Sequence, residues 1–240
     1  MTSVPLRPLS PPILLVPGLK SDRRVWQPQI EVLQCMAEVV VPTAALDVGS
    51  IAGMAERILV EAPPRFALAG CSMGGYVALE IMRAAADRVT RLALISTSAR
   101  AEQPAATEGR RRALELARRE GVEAMALAGL DRDFHSAHRR DPRLGPLMAA
   151  MAKEVGLATV ERQMRAVIDR PDSRSGLAAI ACPAMIACGE DDVVTPPDCA
   201  RELRDGIHGA TLHLIPDCGH CATLEQPDAV SALLCDWART

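Results

Sequence analysis

The sequence is poor in aromatic residues and in excess charge of either sign. Its aromatic side chains are two Trp, one Tyr and two Phe, and its formal net charge at pH 7 is −3 over 240 residues. Proteins that bind single-stranded nucleic acid stack bases on aromatic side chains and bind phosphates with a concentrated positive surface. The composition therefore predicts that no nucleic acid is a partner of this chain.

Long apolar segments are also missing. No run approaches the roughly 20 residues that span a bilayer, and the apolar stretch at residues 13–16 is too short for the core of a signal peptide. The eight cysteines are scattered, without the pattern of a small disulfide-rich domain. These absences predict a cytoplasmic protein that does not insert into a membrane and whose cysteines are mostly reduced core residues.

One pair of cysteines stands out, because Cys218 and Cys221 form a C-x-x-C sequence. Such a sequence is typical of disulfide oxidoreductases, where it begins a helix early in the fold, whereas here it lies close to the C-terminal end. A zinc site needs further ligands, and none is evident nearby. We therefore expect neither a redox nor a metal site, although oxidation of the pair would distort His220 between them and inactivate any enzyme that depends on it.

What the sequence does contain is an alternation of strand-like and helix-like segments. With 49% hydrophobic residues, residues 1–240 can bury the core of a single domain. Between about residues 100 and 175 the strand-like segments stop, and short helices rich in Ala, Arg and Met are predicted. The pattern predicts an α/β fold with about six mostly parallel strands flanked by helices. The predicted strands are residues 13–16, 38–41, 66–70, 91–96, 184–188 and 211–215.

The most informative motif is Gly70-Cys71-Ser72-Met73-Gly74. An apolar strand precedes it and an amphipathic helix follows it, which is the setting of a nucleophile elbow. In that turn the serine has a strained backbone, and the residues two before and two after it must lack a side chain. The motif predicts that Ser72 is a nucleophile.

A serine nucleophile needs a base and a carboxylate that orients the base. Four of the five histidines lie in an Arg-rich segment or flank a strand, which leaves His220 in a Gly-containing turn just after the last predicted strand. The preceding strand ends in Gly189 followed by the acids Glu190, Asp191 and Asp192. The alternative interpretation of these acids is an Asx turn ahead of a helix.

Taken together, the motifs resemble the α/β-hydrolase superfamily, in its carboxylesterase and lactonase-like branch. The resemblance extends over about residues 12–237 and rests on four motifs in the order Ser, acid, His. It implies that Asp192 is the acid, with Asp191 as the alternative, and that a helical cap at about residues 100–175 is inserted before the penultimate strand. The four motifs are Leu14-Leu-Val-Pro-Gly18-Leu19, Gly70-Cys-Ser-Met-Gly74, Gly189-Glu-Asp-Asp192 and Cys218-Gly-His220.

The resemblance also implies where the oxyanion hole lies. In this superfamily two backbone N–H groups bind the oxyanion, and they correspond here to those of Leu19 and Met73. The chain has Pro17-Gly18 where the superfamily commonly has His-Gly. Proline has no N–H, but the required donor belongs to Leu19, so the hole is expected to be retained.

The function predicted from these features is hydrolysis of small or medium carboxylic esters through an acyl-enzyme, with Ser72, His220 and Asp192 as the triad and no cofactor. The substrate is expected to be a small molecule. Carbon–carbon hydrolases, enol-lactonases, thioesterases and acyltransferases use the same triad and remain open alternatives. A ligand-binding receptor with slow turnover is the alternative from another class of protein.

The sequence pattern also predicts the surroundings of several other side chains. Basic runs such as residues 110–112 are expected to be solvated helix faces. Methionines 125, 148, 151 and 164 are expected to be core residues or to line the substrate pocket. The two histidines of His135-x-x-His138 are expected to be exposed, and Glu225 is interpreted as a local structural acid.

Overall fold

A computed structural model describes residues 11–240 of the chain. Its centre is a six-stranded sheet in the order β2-β1-β3-β4-β5-β6, and all five pairings are parallel. The predicted α/β fold with six parallel strands is thereby confirmed. The strands are β1 (Ile13–Val16), β2 (Val39–Val40), β3 (Phe66–Cys71), β4 (Val89–Ile95), β5 (Ala184–Gly189) and β6 (Thr211–Ile215).

The central strands consist of continuous apolar runs because helices cover both faces of the sheet. Every residue of β1, β3 and β5 is buried. Neighbouring side chains point to opposite faces, so Ile13 and Leu15 belong to one core cluster while Leu14 and Val16 belong to the other. The sheet thus separates two hydrophobic cores.

Eleven α-helices connect and cover the strands of residues 11–240. The first core contains residues of α1, α11 and the α4–α8 segment, and the second contains residues of α2, α3 and α9. Within residues 11–240, no helix is both long enough and apolar enough to cross a membrane. The helices are α1 (Gln27–Leu33), α2 (Ile51–Glu61), α3 (Met73–Ala85), α4 (Pro104–Glu120), α5 (Val122–Ala128), α6 (Leu130–Asp133), α7 (Leu144–Val155), α8 (Leu157–Ile168), α9 (Pro197–Gly206), α10 (Ala222–Glu225) and α11 (Pro227–Arg239).

Five of these helices, α4 to α8, lie between β4 and β5, and we call residues 104–168 the insertion. It occupies the place predicted for the helical cap, before the penultimate strand. A buried ion pair attaches it to the loop after β1, because Lys20 Nζ lies 2.9 Å from Asp133 Oδ2 and both side chains are at most 8% exposed. This contact links residues that are 113 positions apart in the sequence.

We expect the Asp133→Asn substitution to lower the free energy of unfolding by about 3–5 kcal/mol, because it leaves Lys20 charged and buried without its carboxylate. Urea denaturation at pH 7 measures this change. Asp131→Asn is the matched control on the same short helix. Its side chain is 90% exposed and 3.8 Å from Arg139, so a change within about 0.5 kcal/mol is expected.

The same ion pair has a defined pH dependence. Burial alone would raise the pKa of Asp133, but the charges of Lys20 and Arg132 outweigh it and lower that pKa below the ordinary value. A lowered folded pKa means that the stabilisation is fully present above the unfolded value near 4 and is lost as the pH falls further. Equal losses of unfolding free energy in Asp133→Asn and Asp131→Asn at pH 7 would contradict the stabilising role of the Lys20–Asp133 ion pair.

Candidate active site

Ser72 lies in a sharp turn between β3 and α3, with φ 52° and ψ −117°. A Cβ atom on Gly70 would lie 2.3 Å from the carbonyl oxygen of Gly74, and one on Gly74 would lie 2.1 Å from the carbonyl oxygen of Val16. No side chain fits at either position, which is the physical reason for the glycines that flank Ser72. The local geometry is that of a nucleophile elbow.

The fold brings the three predicted triad residues into hydrogen-bond contact at the carboxyl ends of β3, β5 and β6. Ser72 Oγ is 2.8 Å from His220 Nε2, and His220 Nδ1 is 2.8 Å from Asp192 Oδ2. If His220 is protonated on Nδ1, that N–H donates to Asp192 and Nε2 is free to accept the Ser72 hydroxyl proton. The arrangement has the connectivity of a nucleophile, a base and an orienting acid.

Asp192 is held by its own loop as well as by His220. Its Oδ1 accepts hydrogen bonds from the N–H groups of Val194 at 2.8 Å and Thr195 at 2.9 Å, and its Oδ2 accepts one from Thr195 Oγ1 at 2.9 Å. The bond to Val194 is an Asx turn, so the alternative interpretation also describes this loop, while the role of Asp192 as the triad acid stays a prediction. Burial alone would raise the pKa of Asp192, but the His220 charge and the hydrogen bonds from His220 and Thr195 lower it.

The loop that carries His220 is fixed by Glu225, whose side chain is fully buried. One Glu225 oxygen accepts from the N–H groups of Gly219 and Cys221, both at 3.1 Å. The other oxygen accepts from the His135 N–H at 2.7 Å and lies 3.1 Å from His138 Nδ1. Glu225 is therefore a structural acid, and it connects the histidine loop to the insertion. The expectation that His135 and His138 are exposed is wrong, because both side chains are partly buried.

Asp133 supports the same loop through its backbone. Its carbonyl oxygen accepts the His220 N–H at 3.0 Å and the Cys221 N–H at 3.2 Å. The residue that anchors the insertion to Lys20 thus also positions the backbone of His220. Sequence reasoning did not identify this residue.

The N–H groups of Leu19 and Met73 are available to a ligand. Among residues 11–240, neither N–H donates to a protein acceptor, and both residues line the same cavity as Ser72. Met73 is the first residue of α3, where the backbone N–H has no partner within the helix and the helix dipole favours negative charge. The two groups fit the predicted oxyanion hole.

The cavity beside Ser72 has a volume of about 70 Å³. Its walls come from the loop after β1, the elbow, the His220 loop and the insertion. Met148 contributes to these walls, so one of the four predicted methionines lines this cavity, whereas Met151 lies only in the core. The apolar lining residues of this cavity include Val25, Cys71, Tyr76, Ile95, Met148 and Val167.

Comparison with known proteins agrees with this geometry. Residues 13–233 match the family model described as "Alpha/beta hydrolase family". The chain belongs to the alpha/beta hydrolase family. A protein of Variovorax paradoxus, provisionally named carbamate hydrolase RutD, is 28% identical over 94% of this chain and 90% of that protein.

Two solved structures of alpha/beta hydrolases show the same fold over nearly the whole chain. A thermophilic esterase from Thermogutta terrifontis, solved with malate bound, has a TM-score of 0.85 and 30% identity, covering 97% of this chain and 91% of its own. The enol-lactonase from Burkholderia xenovorans has a TM-score of 0.85 and 26% identity, covering 96% and 92%. Together with the family match, these likenesses make the chain a hydrolase.

The thiols near the site of this hydrolase are poor nucleophiles. Cys71 lines the cavity next to Ser72, and burial raises the pKa of its thiol to about 12. Burial also raises the pKa values of Cys218 and Cys221 well above their ordinary value. All three are free cysteines, and within residues 11–240 no cluster of three His, Cys, Asp or Glu side chains is suited to a metal ion. Inactivation by oxidation of the Cys218–Cys221 pair remains a prediction.

The predicted role of His220 as the base implies a pH dependence that its surroundings determine. Burial alone would lower the pKa of His220, but the charge and hydrogen bond of Asp192 outweigh burial and raise it above the ordinary 6.5. A base must be neutral to accept the Ser72 proton. We therefore expect kcat/KM to rise with pH through a midpoint above 6.5, as measured with a neutral ester between pH 5 and 9. A midpoint below 6.5 would contradict this electrostatic balance.

Sequence reasoning missed a group of cationic side chains around the site. Arg110 was expected on a solvated helix face, but its side chain is only 15% exposed, lies 2.7 Å from Glu102 and lines the cavity. That expectation is wrong for Arg110, while Arg111 and Arg112 are exposed. Lys20 and Arg132 line the cavity as well. Lys20 and Arg132 are far apart in the sequence, and no local motif predicts that they lie together, because only the fold brings them to one cavity.

Proposed function

We propose that this hydrolase cleaves small carboxylic esters through an acyl-enzyme. Ser72 attacks the ester carbonyl while His220 takes its proton, and Asp192 orients His220 and stabilises the imidazolium that forms. The Leu19 and Met73 N–H groups bind the oxyanion. His220 then protonates the leaving alcohol, and a water molecule activated by His220 releases the acid and restores Ser72.

The observation that carries this proposal is the unbroken hydrogen-bonded chain from Ser72 Oγ through His220 to Asp192 Oδ2, with 2.8 Å at each contact. The Ser72 end of this chain lines a cavity in which the Leu19 and Met73 N–H groups donate to no acceptor among residues 11–240. The names of the similar structures, an esterase and an enol-lactonase, support ester cleavage, since a lactone is a cyclic ester. We further propose that the insertion acts as a cap that limits substrate size, because Met148 and Val167 form part of the cavity wall.

The size of the cavity sets the expected acyl chain. About 70 Å³ is less than half of the roughly 150 Å³ cavity that admits benzene. We expect kcat/KM for p-nitrophenyl esters to be highest between acetate and butyrate and to fall at least tenfold by laurate. A spectrophotometric assay across this series measures the preference.

The same assay includes p-nitrophenyl carbamates and a γ-lactone as alternative acyl donors. Turnover of carbamates with none of any ester would favour the activity named for the Variovorax protein. No turnover of any of these substrates would refute the proposal and favour carbon–carbon hydrolysis or a receptor role.

A further inference from the structure

A second cavity of about 240 Å³ adjoins the one beside Ser72. The two cavities share Leu19, Lys20, Arg110 and Arg132, so they meet at the loop after β1 and the insertion. Four cationic residues and no acidic residue line the second cavity. Its full lining is Leu19, Lys20, Arg110, Arg112, Ala113, Leu116, Met125, Ala128, Gly129, Arg132 and Met164.

On one side of the shared region, a single carboxylate is paired with two arginines. Glu102 Oε2 lies 2.7 Å from Arg110 Nε and 2.6 Å from Arg170 Nη1. The Glu102 side chain is 5% exposed, and Arg170 also lies 4.4 Å above the ring of Tyr76. This group of three therefore carries one positive charge in excess.

On the other side of the region that the two cavities share, the Asp133 carboxylate is paired with two cations, Lys20 and Arg132. Its Oδ2 is 2.9 Å from Lys20 Nζ, and its Oδ1 is 2.7 Å from Arg132 Nη2. This group also carries one positive charge in excess. The two groups face the cavities from the insertion and from the loop that supplies the Leu19 N–H.

Both arginines keep hydrogen-bond donors that the protein does not use. Arg110 donates to Glu102 through Nε, and its terminal nitrogens donate to no acceptor among residues 11–240. Arg132 uses Nε and Nη2 for Asp133 and leaves Nη1 without an acceptor in the same range. Apolar side chains such as Met125 and Met164 line the remainder of the second cavity. An anion there would meet free guanidinium donors on Arg110, whose side chain is 15% exposed, and on Arg132, whose side chain is 52% exposed, and hydrogen bonds between charged groups are stronger than neutral ones.

We propose that the substrate of this hydrolase carries a carboxylate, which Arg110 and Arg132 bind in the second cavity while its ester carbonyl lies at Ser72. The inference rests on the proposed ester hydrolysis. A carboxylate fits because it is planar, which matches the guanidinium fork, and because it is a monoanion that the excess charge at the shared region can neutralise. Lys20 contributes positive charge but stays paired with Asp133.

The test compares two esters with the same glutaryl chain, p-nitrophenyl glutarate with its free carboxylate and the p-nitrophenyl ester of monomethyl glutarate, in which a methyl ester replaces the charge. Wild-type kcat/KM is expected to be about tenfold or more higher for the carboxylate, because hydrogen bonds from guanidinium groups to a carboxylate are stronger than those to a neutral ester. In Arg110→Gln and Arg132→Gln this ratio falls about tenfold, mainly through KM. Each variant leaves the nearby carboxylate paired with one remaining cation, which favours retention of the fold.

Arg111→Gln is the matched control, because it removes the same charge from an exposed neighbour on α4 that lines neither cavity. It is expected to keep the wild-type ratio. A wild-type ratio near one, or an equal fall in all three variants, would overturn the proposal while leaving ester hydrolysis intact.

A binding measurement separates the two proposals. Calorimetry with glutarate, and with uncharged glutaramide as the comparison, reads carboxylate binding without any turnover. Binding of glutarate that weakens about tenfold in Arg110→Gln supports the carboxylate site even if no ester is cleaved. Equal binding of glutarate and glutaramide by the wild-type protein would refute the proposed carboxylate site.

Discussion

The Ser72→Ala variant is expected to lose about 10⁴–10⁶-fold in kcat for p-nitrophenyl butyrate, because no other group at the site can form the acyl-enzyme. The Cys71 thiol next to it is held protonated by burial, and water lacks the fixed 2.8 Å contact that Ser72 Oγ makes with His220. Residual rate would come from the oxyanion hole and substrate binding alone. Steady-state assays at pH 8 measure the loss, and active-site titration of the variant preparation, which lacks Ser72, detects traces of contaminating esterase.

Ser96→Ala is the matched control for this variant. Ser96 is buried, has a positive φ of 46° and lines the same cavity, yet its hydroxyl has no partner among residues 11–240. Removing that hydroxyl is expected to change kcat by no more than a few-fold. A Ser72→Ala variant as active as Ser96→Ala would refute the assignment of the nucleophile.

Strand positions in this chain could be predicted from sequence because parallel strands buried on both faces are continuous apolar runs. The prediction was least accurate where that signal is weak. Strand β4 begins at Val89, two residues earlier than predicted, because the polar Thr90 separates Val89 from the predicted segment. Tertiary contacts accommodate Arg91 in this strand, because its guanidinium donates hydrogen bonds to the Trp237 and Ala238 carbonyl oxygens at the end of α11.

Some residues of the site could also be predicted from the sequence, and others could not. The proximity of Ser72, Asp192 and His220 was predictable because each follows a strand and parallel strands end at one edge of the sheet, whereas the choice of Asp192 over Asp191 came from the resemblance. Asp133 and Glu102 were not, because a buried carboxylate that pairs with distant cations has the same local sequence as an exposed one. Arg110 and Arg111 differ in role only because the turn of α4 points one into the cavity and the other to solvent.

The Asp192→Asn variant is expected to lose on the order of 10⁴-fold in kcat, as the corresponding change does in the serine-protease triad. The amide keeps an oxygen for the Val194 and Thr195 N–H groups, so the loop conformation is expected to survive. Its –NH₂ group would, however, face His220 Nδ1 as a donor and favour the tautomer with the proton on Nε2. That tautomer cannot accept the Ser72 proton, and no carboxylate remains to stabilise the imidazolium.

Asp191→Asn is the matched control, because it neutralises the adjacent acid, whose side chain is 56% exposed and 3.7 Å from His135 instead of His220. We expect this variant to retain kcat within a few-fold and to keep the wild-type pH profile. In Asp192→Asn the residual activity should show a lower midpoint than the wild type, because the charge that raises the pKa of His220 is gone. A larger loss in Asp191→Asn than in Asp192→Asn would transfer the orienting role to Asp191, the alternative acid that the sequence left open.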